Sequence, residues 1–164
     1  SDDTVNIQEI KLTDGAYNLL DNEILSFYVG GTRDANKILA NQEKQLKNKD
    51  KINSIKKMAG LAYDLKHELE NSNIENFGEI LHENWILKRG ITKDIANEYI
   101  DDIYKTAMSC GATGGKLLGA GGNGFMIFHV PSDNNRSKLI KKLNSFKKVN
   151  FKIYNKGSEI INFI

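Results

Sequence analysis

Apolar residues recur at intervals of three and four through the middle of the chain, and in dense or alternating runs towards its ends. That pattern predicts helices framed by strands. Val5, Ile7, Ile10 and Leu12 suggest a short strand, after which Thr13-Asp-Gly15 reads as a turn. The denser run Ile24-Leu-Ser-Phe-Tyr-Val29, ending in Gly30-Gly31, predicts a mostly buried strand. From Arg33 onward Ala35, Ile38, Leu39, Gln42 and Leu46 mark an amphipathic helix that Thr32 can cap and that Lys47-Asn-Lys-Asp50 breaks. The most sustained stripe is Ile52, Ile55, Met58, Ala59, Ala62, Leu65 and Leu69, a helix that Asn71-Ser-Asn73 ends. Ile74, Phe77, Leu81, Trp85 and Lys88 lie on the face of the next helix, which stops near Gly90. Thr92 or Asp94 then caps a third, with Ile95, Tyr99, Ile100, Ile103, Tyr104 and Ala107 inward and its end before Gly111.

Gly124 to Val130 reads as a strand closed by Pro131, which has no N–H for a ladder. Ser132 to Ser145 is helical, with Leu139, Ile140 and Leu143 inward. Val149, Phe151 and Ile153 alternate with polar residues, Asn155-Lys-Gly157 turns, and Glu159-Ile-Ile-Asn-Phe163 can pair back as a hairpin. The layout indicates an α+β domain with helices packed against an antiparallel sheet.

Composition narrows the class. At 164 residues and 40% hydrophobic, the chain is sized for one domain with a real core, residues 1–164. Its 23 Lys and Arg against 21 Asp and Glu give a net charge of only +2, which argues against nucleic acid as a partner. The lysine runs Lys44 to Lys57 and Lys138 to Lys148 are interleaved with apolar residues and read as solvated helix faces. The single cysteine, Cys110, forms no internal disulfide, and no apolar stretch is long enough for a membrane span or a signal peptide, so a cytoplasmic protein is expected.

The candidate chemistry is concentrated in Gly111-Ala-Thr-Gly-Gly-Lys-Leu-Leu-Gly-Ala-Gly-Gly-Asn-Gly124, which holds seven of the 14 glycines. Successive backbone N–H groups in such a loop form a concave site for phosphate. No acidic residue lies between Gly111 and Phe128, and Lys116 sits inside the loop, so an anion fits better than a merely tight connection. Gly119 to Gly124 has G-x-G-x-x-G spacing, but a dinucleotide fingerprint follows a strand and opens a helix, whereas here a helix is expected before and a strand after. The Walker A spacing fails too, because Cys110 stands where its first glycine belongs and Leu117 follows the lysine. The residues alone lead to a phosphate-bearing ligand. They leave open whether the chain is part of an enzyme or a free-standing module that binds a phosphorylated metabolite or a partner subunit.

Gly114-Gly-Lys-Leu-Leu-Gly-Ala-Gly-Gly-Asn-Gly-Phe125 resembles the third conserved motif of the GHMP kinases. Leu81-His-Glu-Asn-Trp-Ile-Leu-Lys88, Phe27-Tyr-Val-Gly-Gly-Thr-Arg33 and Gly157-Ser-Glu-Ile-Ile161 resemble the heptose 7-phosphate kinase branch of that family. Asn123 replaces one glycine of the usual run of four, a position where asparagine tolerates the left-handed region. The resemblance implies the C-terminal domain of an ATP-dependent sugar kinase, with a ferredoxin-like antiparallel sheet backed by helices. The family's N-terminal nucleotide loop and catalytic aspartate are not in this chain.

By that resemblance ATP and Mg2+ would be held mainly by the missing domain, and the substrate would be a sugar phosphate of the heptose 7-phosphate type. Gly115, Lys116, Gly119, Ala120, Gly121, Gly122, Asn123 and Gly124 would form the phosphate and nucleotide loop. Thr32, Arg33 and Lys88 are candidates for the substrate, Arg33 as a bidentate fork and Thr32 more simply as a cap. No catalytic residue and no metal ligand set is expected in this chain, and homo-oligomerisation is left open.

Overall fold

The computed structural model describes residues 5, 7–31 and 35–153. Helix α1 (Asp14–Glu23) stands where a turn was expected: the Thr13 hydroxyl accepts from the Ala16 amide at 3.3 Å, and Asp14 places a carboxylate in the first turn. Among the described residues the expected first strand is absent: Val5 and Ile7 are exposed, and residues 7–12 run without regular structure and pair with no described strand.

Strand β1 (Ile24–Gly30) follows α1 directly. Helix α2 (Ala35–Lys44) buries Ile38 but leaves Leu39 exposed, and a single 3-10 turn (Gln45–Lys47) separates it from α3 (Lys49–Glu70). The long α3 buries no residue fully; Ile55 and Met58 lean on one cluster of the core, Leu65 and Leu69 on the other. Helix α4 (Phe77–Arg89) buries Phe77, Leu81 and Trp85 as the spacing predicts. The cap of α5 (Glu98–Ser109) is Asn97, whose side chain accepts from the Ile100 amide at 3.0 Å, and not Thr92 or Asp94. Ile95 is fully buried in the preceding turn, and Tyr99 faces outward against Phe146.

Strand β2 (Gly114–Leu117) lies inside the stretch read as one continuous loop. It pairs antiparallel with β3 (Gly124–His129), placing Gly115 opposite Phe128 and Leu117 opposite Met126. Helix α6 (Asp133–Lys142) is capped by Ser132 and buries Leu139, while Leu143 closes its end in the core. Strand β4 is only Lys147–Val149; Phe151 and Ile153 lie beyond it, and the hairpin expected from Glu159 to Phe163 falls outside the described residues.

The sheet order is β2-β3-β1-β4, with every neighbouring pair antiparallel. This is the ferredoxin-like arrangement, with α2 to α5 filling the first crossover and α6 the second. Leu25, Phe27 and Val29 of β1 join Met126, Phe128, Leu117 and the inner residues of α5 and α6 in the larger core cluster. On the opposite face Ile24 and Ile127 pack with Leu20, Phe77 and Leu81. Farther along that face the Tyr28 and Phe125 rings pack at a tilt of 52° with centroids 5.2 Å apart, and both stay more than a third exposed.

Candidate functional site

The absence of a side chain at Gly114 lets α4 close onto the sheet edge. A Cβ there would sit 1.8 Å from the Gly78 carbonyl oxygen, and one at Gly115 would meet the Ile127 carbonyl and the Phe128 ring. These two glycines, with Gly78, serve packing. The glycine stretch therefore has two parts: a strand pressed against α4, then a loop over residues 118–123 that joins β2 to β3. The loop lies between two strands and not between a helix and a strand.

The hairpin is closed by the Leu118 amide donating to Phe125 O at 2.8 Å. Three separate segments hold the loop. The Gln42 amide of α2 donates to Ala120 O at 2.9 Å, Lys88 Nζ of α4 donates to Gly119 O, and the Gly122 amide donates to Ile95 O at 2.9 Å. Gly121 has φ +113°, and a Cβ on it would lie 2.9 Å from Ile95 Cα, so both backbone shape and space require glycine. Among the described residues the amides of Gly119, Ala120 and Gly121 meet no acceptor, while that of Gly122 is already engaged.

Asn123 does not take the left-handed conformation expected of it; among the described residues Ser72 is the only non-glycine with positive φ. Its side chain instead fills the space beside Gly31, where a Cβ would fall 2.0 Å from Nδ2. Gly124 pairs with Gly30 across β1 and β3, so the expected strand-end glycines and the loop meet. Thr32 and Arg33 lie outside the described residues.

Lys88 and Lys116 come together at this hairpin. Lys116 Nζ donates to Asn84 Oδ1 at 2.7 Å, one helical turn before Lys88 on α4. Burial lowers the Lys88 ammonium to about 8, and the positive charge of Lys116 adds to that effect. Burial lowers Lys116 as well. Beneath them the Tyr104 hydroxyl accepts from the Gly115 amide and lies 2.7 Å from His82 Nδ1; burial raises its pKa to about 12, so the phenol stays neutral. Gln42, Ile95 and Tyr104 were not singled out for the site from sequence; helical spacing placed each of them on the inward stripe of its helix and gave no further signal.

His129, read from sequence as structural, is buried at the other end of the hairpin. Its Nδ1 lies 2.7 Å from Thr113 Oγ1 and its Nε2 3.1 Å from Glu23 Oε2, joining β3 to α1. Burial lowers its pKa despite the Glu23 carboxylate.

The family model described as "GHMP kinases C terminal" matches residues 65–149. The chain is 29% identical over 117 residues to D-glycero-alpha-D-manno-heptose 7-phosphate kinase of Campylobacter jejuni, covering 71% of this chain and 34% of that protein. It is 27% identical over 138 residues to the bifunctional fucokinase/GDP-fucose pyrophosphorylase of Arabidopsis thaliana, covering 83% and 13%. Among solved structures, a putative sugar kinase from Campylobacter jejuni aligns with TM-score 0.65 and 25% identity over 93% of this chain and 42% of the other. The chain thus spans about a third or less of the curated relatives it matches.

Proposed function

This chain belongs to the GHMP kinases, matching their C-terminal domain, and from that membership we propose that it forms the C-terminal part of an ATP-dependent sugar kinase acting on a sugar phosphate of the heptose 7-phosphate type. The domain that binds ATP would precede it. The observation that carries the reading is the loop at residues 118–123, held from α2, α4 and the Ile95 turn so that its free amides keep one arrangement. Phosphoryl transfer requires charge neutralisation and in-line positioning more than covalent help. Donors fixed before the substrate arrives supply the first without reorganisation.

In this reading the Gly119, Ala120 and Gly121 amides face the transferred or neighbouring phosphate. Gly122, Asn123 and Gly124 set the loop's shape, and Gly115 sets the position of Lys116. Thr32 and Arg33 remain proposed contacts to the sugar phosphate. Mg2+ would arrive with the nucleotide; among the described residues no three His, Cys, Asp or Glu lie close enough to hold a metal ion. Among those residues, too, no helix is long and apolar enough to cross a membrane.

Two measurements test the proposal. The full-length protein should transfer phosphate from ATP to heptose 7-phosphate, and Gly121→Val with Gly122→Val should abolish turnover while far-ultraviolet circular dichroism keeps its helical signal. Unchanged kinetics in that variant would assign the loop a purely structural role. The 164-residue chain alone should show no turnover, and robust activity from it would refute the assignment as one part of a two-domain enzyme.

A further inference from the structure

Lys88 and Lys116 reach the same hairpin from different elements, and neither forms an ion pair among the described residues. Their hydrogen-bond acceptors are neutral: the Gly119 carbonyl for Lys88 and the Asn84 amide oxygen for Lys116. Glu79 and Glu83, the carboxylates on the same helix, are exposed and contact neither lysine. Each ammonium has three N–H donors and uses one in these contacts, which leaves two on each. Holding two cations half-buried beside each other without a counter-charge is unfavourable unless an anion completes the group.

We propose that the Lys88 and Lys116 ammonium groups form a receptor for a terminal phosphate dianion, built entirely within this domain beside the amide loop that Lys88 also holds. The proposal deepens the kinase reading by naming what the lysines hold, and it rests on that reading only for the source of the phosphate. A dianion matches two monocations in charge, and its terminal oxygens can accept from both side chains at once. A phosphodiester or a carboxylate carries one charge and leaves one lysine uncompensated. The phosphate can belong to the sugar or to the nucleotide.

Titration of the 164-residue chain with inorganic phosphate, followed by calorimetry and by amide chemical shifts, tests the receptor. Saturable binding is expected, with shifts centred on Lys116, Asn84, Lys88 and Gly119. Lys88→Gln and Lys116→Gln should each weaken it about tenfold or more, the loss of a charge-assisted hydrogen bond. Lys88→Arg and Lys116→Arg, which keep the charge, should retain most of the affinity and control for misfolding.

Competition identifies the source: displacement by a sugar phosphate assigns the pair to the substrate, and displacement by ATP assigns it to the nucleotide. Failure of both to displace phosphate, absence of saturable binding, or full binding in the glutamine variants overturns the proposal. A receptor that behaves as expected in a full-length protein without kinase activity would sink the kinase reading and leave this inference standing.

Discussion

Gly119 and Gly121 sit two residues apart in one loop and differ in what surrounds them. Both have positive φ, but a Cβ on Gly119 meets nothing within 4 Å, whereas one on Gly121 meets the Ile95 backbone. Gly119→Ala should therefore cost about 1 kcal/mol, the conformational term alone. Gly121→Ala should cost about 2–4 kcal/mol, because the Ile95 turn must also move. Urea denaturation measures the difference, and equal losses would show that the Ile95 contact does not constrain the loop. Lys88 gives a residue-scale prediction about pH. Its ammonium is disfavoured in the fold, with a value of about 8 against 10.5 when unperturbed. Its contribution to stability is therefore fully present above the unperturbed value and is lost as pH falls through about 8. Phosphate binding needs the charged form, so its affinity should fall by about tenfold per pH unit above 8. Calorimetry across pH 7 to 10 should show this decline, and a flat profile would remove Lys88 from the receptor.

At the scale of elements, the strongest periodicities were legible and the shortest pieces were not. Ile74, Phe77, Leu81 and Trp85 identify α4 because a helix packed on one side must repeat its apolar face. Helix α1 escaped because Thr13-Asp-Gly15 carries turn residues, and the same threonine and aspartate suit a helix start; the buried pair Ala16 and Leu20, four apart, was the available signal. Strand β2 escaped because two of its residues are glycine, and nothing local states that α4 will press against them. The start of α5 offers a sharp comparison. Asn97→Ala removes the cap and should cost about 1 kcal/mol. Thr92 Oγ1 is buried with no hydrogen-bond partner among the described residues, so Thr92→Val should be neutral or stabilising. Thermal melts of the two variants decide it, and the reverse order would restore Thr92 as the cap.

At the scale of the molecule, the fold class and the glycine motif were legible, while the three-sided hold on the loop was not. Gln42, Lys88 and the Ile95 carbonyl come from segments far apart in sequence, and only the closed fold brings them to one place. In the proposed reading the motif offers its amides to a phosphate, and the tertiary contacts determine how rigidly. The same topology bears on assembly. Ile24 pairs with His129 and Ser26 with Ile127, so the central strand waits for almost the whole helical crossover to be made before its main partner arrives. Pairing over such sequence distances raises contact order and slows folding. Helices α3 and α4 can form early from local contacts, yet the hairpin cannot be fixed until the crossover has closed. Nascent chains stopped short of β3 would carry every helix of that crossover, yet the glycine loop would lack the strand that closes it.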